Sequence, residues 1–335
     1  MIIKQKSRIC LILPIILALV AGGIVGCSSS NTATNNIGKT VIRVATLKGP
    51  TGMGMVDLME KDETGESSLD YEFTLLGSPD DLVGKIVSGE VDVAAVPNNL
   101  AAVLYNKTQG AVQLAAVNTL GVLYVVENGE EINSLADLTD KIVHSSGKGA
   151  APDFIFRYIL EGNNLVADQD VMLEYKLQHT ELAAALAAGD VNIALLPQPH
   201  VTSAMMQNPN LRIALDVTEE WNKLTGDGKL PMGAIIVQKD FAKNNRDAFN
   251  LFLDEYKKSV DFVNKEQDKA SELIEKHDIV PKAAVARRAI PYSNIVYIDA
   301  QDAMADLEEF YKMLFEFDPK SVGGKLPDEE YYYKK

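Results

Sequence analysis

Cysteine is nearly absent from this chain. Two occur in 335 residues, Cys10 and Cys27, so nothing beyond residue 27 can form a disulfide, a thiolate metal site or a thiol nucleophile. Histidine is also scarce. His144, His179, His200 and His277 show no paired ligand spacing such as HExxH, and a lone surface or core histidine accounts for each, with His179 and Glu181 as a local capping pair. Enzymatic signatures are missing too. Ser145-Ser146-Gly147-Lys148-Gly149 lacks the G-x-x-x-x-G-K-S/T frame of a nucleotide loop, and Gly77-Ser78-Pro79 lacks the second glycine of a nucleophile elbow. Positive charge is in deficit, with 32 Lys and Arg against 47 Asp and Glu and a net charge of −15. Phosphate backbones and anionic headgroups repel such a surface, which excludes nucleic acid as a partner. The expectation is a protein with no metal, no cofactor and no chemical turnover.

Long apolar runs are confined to the N-terminus. Lys4, Lys6 and Arg8 precede Ile9 to Val20, a segment too short for an ordinary spanning helix, and Ile24-Val25-Gly26-Cys27 follows. That order resembles the bacterial lipobox, in which small residues precede a cysteine that becomes the lipidated first residue. Residues 1–26 are therefore expected to be a lipoprotein signal peptide and Cys27 the lipidation site. Residues 27–39, polar and aperiodic, would form a flexible tether. Loss of the three basic signal residues takes the charge from −15 to −18, so lipid, not surface charge, would hold the protein at the membrane.

What the chain does have is an internal repeat. Leu82 to Pro97, LVGKIVSGEVDVAAVP, aligns without a gap on Leu182 to Pro197, LAAALAAGDVNIALLP. Leu82/Leu182, Gly89/Gly189, Val91/Val191, Ala94/Ala194 and Pro97/Pro197 are identical. Each copy reads as a helix ending at a glycine suited to the left-handed C-cap, then a short buried strand closed by proline. Lys48-Gly49 and Lys148-Gly149 extend the correspondence. Either this is a coincidence of common α/β vocabulary or the chain holds two similar α/β lobes.

Taken in order, strands are expected at Thr40 to Ala45, Leu69 to Leu76, Val91 to Val96, Lys141 to His144, Val171 to Leu177, Val191 to Leu196, Leu211 to Val217 and Gly233 to Gln238. Val112 to Val126 is a long apolar run broken at Asn118 to Gly121. Helices at Asn245 to Asn264, Gln267 to His277, Lys282 to Ala289 and Gln301 to Phe317 close the chain. The expected lobes are residues 40–126 plus 231–335 and residues 127–230, with Val122 to Val126 and Ala234 to Gln238 as the strands that cross between them.

SGEVDVAAVPNNLAAVLYN, INSLADLTDKIVHSSGKGAAPDF, AAGDVNIALLPQPHV and PMGAIIVQKDFAKNN together resemble the nitrate/sulfonate/taurine-type (NitT/TauT) substrate-binding proteins of ABC importers. The resemblance implies an α/β, two-lobe type II periplasmic-binding-protein-like fold with a helical C-terminal return. It also implies a monomeric, lipid-anchored protein on the extracytoplasmic face of the cell membrane, which captures a small molecule and delivers it to an ABC permease and its ATPase. A surface sensor of the same fold, or a thiamine-pathway pyrimidine-binding or pyrimidine-forming protein, stands as the alternative. The cysteine-dependent enzymes of this broad fold are not supported.

Ligands of open α/β sheets bind beyond the strand carboxyl ends. The candidates there are Lys48, Gly49, Thr51, Ser78, Asn98, Asn99, Asn118, Thr119, Ser145, Ser146, Gly147, Gln198 and His200. Gly49, Gly52, Gly147 and Gly149 either bring backbone N–H groups to an oxyanion or simply make tight turns. Asn98, Asn99, Gln198 and His200 either bind ligand or cap the next helix. Trp221 is an option for stacking on a planar ligand or for packing, and Asn294 lies in a loop, Tyr292 to Tyr297, that resembles the segment returning to the cleft. No arginine stands in Thr46 to Gly54 or Ser145 to Pro152, which favours a neutral polar or planar ligand. Lys48 and Lys148 favour an anion if they point inward.

Overall fold

The computed structural model describes residues 40–226 and 228–335. The expected signal peptide, tether and Cys27 lie outside the described residues. Within them the strands are β1 (Val41–Leu47), β2 (Asp70–Leu76), β3 (Val93–Pro97), β4 (Val112–Thr119), β5 (Leu123–Glu127), β6 (Ile142–His144), β7 (Met172–Glu174), β8 (Ile193–Pro197), β9 (Arg212–Asp216), β10 (Gly233–Gln238) and β11 (Ile295–Asp299). They build two sheets, ordered β11-β4-β10-β3-β1-β2 and β7-β6-β8-β5-β9. The protein is thus a mixed α/β chain, as the alternation of apolar strands and amphipathic helices requires.

The repeat explains the correspondence between the sheets. β3 and β8 are its two strands, and both are buried over their first four residues, as strands covered by helices on both faces must be. β3 pairs parallel with β1 and antiparallel with β10. β8 pairs parallel with β6 and antiparallel with β5. The helix of each repeat ends near a left-handed glycine, Gly89 at φ 73° and Gly189 at φ 82°, where a side chain would strain the turn.

Neither strand expected to cross does so. Val122 to Val126 and Ala234 to Gln238 read as strands crossing between lobes, yet β5 is wholly in the second sheet, between β8 and β9, and β10 wholly in the first, between β4 and β3. The chain crosses just before β5, at Leu120 to Val122, and crosses back at Leu230 to Met232, just before β10. β5 and β10 therefore hold equivalent places, each the antiparallel neighbour of a repeat strand.

Three smaller expectations also change. Ile295–Asp299, expected within a loop, is β11 and pairs antiparallel with β4. Val171 to Leu177 shortens to β7. A helix, Val217–Thr225, follows β9 with Asp216 as its N-cap, accepting from Thr218 N at 2.8 Å.

The two sheets share apolar packing along one side. Helix Met304–Phe317 lays Phe317 over Phe154, with centroids 5.7 Å apart and planes at 21°. Its Phe310 meets Trp221 at 6.4 Å. Tyr311 and Tyr331, both buried, join hydroxyls at 2.8 Å on the first half. One continuous core thus includes residues from both halves.

Candidate functional site

The carboxyl ends of β1, β3, β4 and β6 converge on a pocket of about 440 Å³ between the two sheets. Its walls are mostly apolar: Leu47, Pro97, Leu100, Val122, Met232 and Phe310 among them. Polar groups enter at Lys48, Thr51, Asn99, Thr119, Ser146 and His179. An apolar lining with a few convergent polar groups is the usual form of a small-molecule site. Another concavity, of about 500 Å³ beside Gln113, Lys239 and Glu330, lies at the opposite end of the first sheet, away from the strand carboxyl ends of β1 and β3, and Lys239 there pairs with Glu330 at 2.8 Å.

The electrostatics of the cleft pocket are close to neutral. Lys48 Nζ is 2.6 Å from Asp278 Oδ2, which spends its charge on a carboxylate. Lys148 does not line this pocket; its ammonium stands 5.8 Å from the Tyr175 ring centroid. The N-terminus of helix Ala151–Gly162 would favour an anion, but the chain supplies its own. Buried Asp153 accepts from Gly149 N at 2.7 Å, Arg157 Nε at 2.6 Å and Tyr175 OH at 2.5 Å. The glycine loop is thereby pinned by an internal carboxylate, and Ala150 N donates to Gly147 O at 2.9 Å. The oxyanion role considered for this loop gives way to the turn role.

Ser146 Oγ lies 2.5 Å from His179 Nδ1, and the His179 ring stacks on His200 at 5.4 Å and 28°. Burial, and then the neighbouring His200, pushes the His179 imidazolium pKa down to about 4; burial lowers His200 as well. Both rings are neutral at pH 7, so the pair presents hydrogen-bonding edges without charge. The capping box at this helix is formed by Gln178 and Glu181, with Gln178 N donating to Glu181 Oε2 at 3.2 Å. His179 is not part of it and faces the pocket instead.

Of the residues singled out from sequence, Lys48, Thr51, Asn99, Thr119, Ser146 and Gly147 line the pocket together. Gly49 adopts φ 100° just before Pro50, and Ser78 caps helix Pro79–Val87 by accepting from Asp80 N at 3.2 Å. Ser145 is buried behind the wall.

Asn98, Asn118 and Asn294 do different work. Asn98 N and Nδ2 donate to Met232 O at 2.9 Å and Pro231 O at 3.2 Å, while its Oδ1 accepts from Tyr311 OH at 2.5 Å. Asn294 Nδ2 donates to Gly121 O at 2.5 Å, and its carbonyl accepts from Leu120 N at 3.0 Å. These two side chains clamp the two crossing segments. Asn118, fully buried, ties to Thr51 O at 3.5 Å and Thr119 Oγ1 at 3.3 Å. Gln198 and His200 line other pockets. Trp221 is completely buried against Tyr158 and Phe310, so packing, not ligand stacking, is its role.

Sequence reasoning missed His179 and the apolar walls at Leu47, Met232 and Phe310. The signal for His179 was its place at the helix start after the β7 strand, equivalent to Pro79 in the first repeat. Elsewhere Glu60, Glu63 and His277 approach one another, but Lys276 Nζ, 2.6 Å from Glu60 and 3.0 Å from Glu63, already pairs with both carboxylates.

Two α/β halves meeting over a pocket at their strand carboxyl ends define a periplasmic-binding-protein-like chain. The chain belongs to the family described as Menaquinone biosynthesis, whose model matches residues 53–316. Among solved structures it is similar to an ABC transporter from Parabacteroides distasonis, with 26% identity, 88% of this chain and 99% of that chain covered, and a TM-score of 0.75. It shares its fold with the periplasmic aliphatic sulphonate binding protein SsuA from Escherichia coli, at 15% identity, 88% and 92% coverage and a TM-score of 0.68. The alkanesulfonate-binding SsuA of Xanthomonas axonopodis pv. citri, bound to MOPS, matches at 14% identity, 86% and 94% coverage and a TM-score of 0.61. The chain matches no curated protein sequence.

Proposed function

We propose that the chain is an extracytoplasmic solute-binding lipoprotein that holds an uncharged, largely apolar small molecule in the cleft pocket and passes it to an ABC importer. The observation that carries the ligand class is the neutral polar edge of the pocket: Lys48 paired with Asp278, the helix N-terminus filled by Asp153, and Ser146 with neutral His179. The similarity to importer binding proteins supports the transport role. Asn99 and Thr51, whose side chains have no hydrogen bond among the described residues, are the groups available to orient the ligand.

A thermal-shift panel of thiamine-pathway pyrimidines, nucleobases, taurine, alkanesulfonates, nitrate and bicarbonate tests this reading. Binding to the native state alone raises its apparent stability by mass action, by about 3 kcal/mol at a hundredfold excess over Kd. An uncharged planar compound is expected to raise Tm by about 5 °C or more, with the shift lost in Asn99→Ala. Stabilisation by nitrate or a sulfonate only, abolished in Lys48→Ala, would overturn the neutral class. For the anchor, Cys27→Ala is expected to release the protein from membranes or block its processing, read by fractionation; a variant still processed and membrane-held contradicts the lipid attachment.

The family match favours a second reading, an enzyme acting in menaquinone biosynthesis on a ligand of the same class. Mass spectrometry of the ligand after incubation separates the two. A binding protein returns it unchanged.

A further inference from the structure

A second pocket, of about 520 Å³, opens between the halves away from the cleft site and shares none of its lining residues. Its floor is apolar, with Met205, Leu211 and Ile213 from the second half. Its polar groups are Gln198 and Thr202 from the second half and Arg288 and Tyr292 from the first. Arg288 is the sole charged residue of this lining. It is exposed and forms no ion pair or hydrogen bond among the described residues.

Gln198 supplies the independent sign of a ligand. The residue is 2% exposed. Its Oε1 accepts from Thr202 N at 3.3 Å and Thr202 Oγ1 at 2.7 Å. Because a backbone N–H can only donate, this fixes which end of the amide is oxygen. The NH₂ end, Nε2, is buried with no partner. Buried donors are satisfied as a rule, and an exception calls for an absent acceptor.

We propose that this pocket is a binding site for an organic carboxylate with an apolar body, the carboxylate held by the Arg288 guanidinium and the Gln198 amide and the body lying on Met205, Leu211 and Ile213. Arginine suits the task because its planar fork matches a carboxylate. The site differs in chemistry from the cleft, where no unpaired cation stands. Its walls come from both halves, and helix Ala283–Ala289, which carries Arg288, packs on helix His200–Gln207. An occupant there contacts both halves at once, and thereby favours the arrangement in which they are juxtaposed.

Calorimetric titration of the protein with phenylacetate, 3-phenylpropionate and octanoate, and with 3-phenylpropionamide as the uncharged match, tests the site. At least one acid is expected to bind ten times or more tightly than the amide. Arg288→Met is expected to weaken that acid at least tenfold, with Arg288→Lys intermediate, and Ile213→Trp to abolish binding by filling the floor. Asn99→Ala in the cleft should leave it unchanged. Because Arg288 is exposed, its replacement leaves the core intact, and a circular dichroism melt on each variant verifies this. Equal affinity for acid and amide, an Arg288→Met protein that binds as before, loss of binding in Asn99→Ala, or no binding of any of the three acids at millimolar concentration would each overturn the proposal.

Discussion

Phe310→Ala is expected to lower the free energy of unfolding by about 3–5 kcal/mol, the cost of emptying a large buried aromatic position. Phe310 is 1% exposed, and its ring stands against Trp221 of the second half while its helix is anchored on the first by Tyr311. Few single changes reach further. A loss of this size is a large part of the 5–15 kcal/mol that holds a typical domain together and corresponds to a drop in Tm of about 10 °C for a chain of this length. Because Phe310 also lines the cleft pocket, the same change enlarges the pocket and should weaken the ligand. Phe310→Leu, which keeps most of the apolar volume, is expected to retain more than half of the stability. A Phe310→Ala protein whose urea midpoint matches that of the parent would show that the shared core contributes nothing to holding the halves.

The second large effect is a loss of stability in mild acid. His179 has a folded-state pKa of about 4, against an ordinary value of 6.5, because burial and the stacked His200 disfavour its charge. As pH falls, the unfolded chain takes up the proton first. The contribution is therefore fully present above about pH 6.5 and is lost as pH falls toward 4, at a cost of about 2–3 kcal/mol. His200, also lowered by burial, acts in the same direction. Carboxylates stabilised in the fold, such as Glu60 beside Lys276 and His277, lose their contribution only below the ordinary carboxylate range, so the interval from pH 6.5 to 5 isolates the imidazoles. Denaturant titrations across that interval are expected to show a declining midpoint in the parent and a flatter profile in His179→Gln. A parent profile that is flat from pH 7 to 5 would mean that the histidine pair takes up protons as readily in the folded protein as in the unfolded chain.

The sequence made the repeat legible because its signals are local. A glycine after an apolar-periodic helix and a proline after a β-branched run are imposed by backbone sterics, and both recur at Gly89, Pro97, Gly189 and Pro197. Val122 to Val126 reads as a crossing strand because β8 and β9, the partners of β5, are 66 or more residues away in the register, and an apolar run carries no mark of which sheet it joins. The same reasoning divides the site. Thr51, Asn99, Thr119 and Ser146 were visible as polar residues at strand ends. Asn98 and Asn294 looked alike from sequence, yet tertiary hydrogen bonds commit them to the crossings. The apolar wall was invisible, since Met232 and Phe310 read as ordinary core residues until the halves are brought together.

The placement of β10 has a consequence for the order in which the molecule is assembled. β3 and β4 never pair with each other; β10 lies between them. The second sheet draws all its strands from residues 123–216, so a chain emerging from its N-terminus holds every strand of that sheet before the first can close. Until residues 233–238 arrive, the inner edges of β3 and β4 have no neighbour, and pairing across such a sequence separation is slow. The first-made part of the chain is therefore the last to reach its final structure, and its open strand edges make it the segment most exposed to misassembly in the meantime.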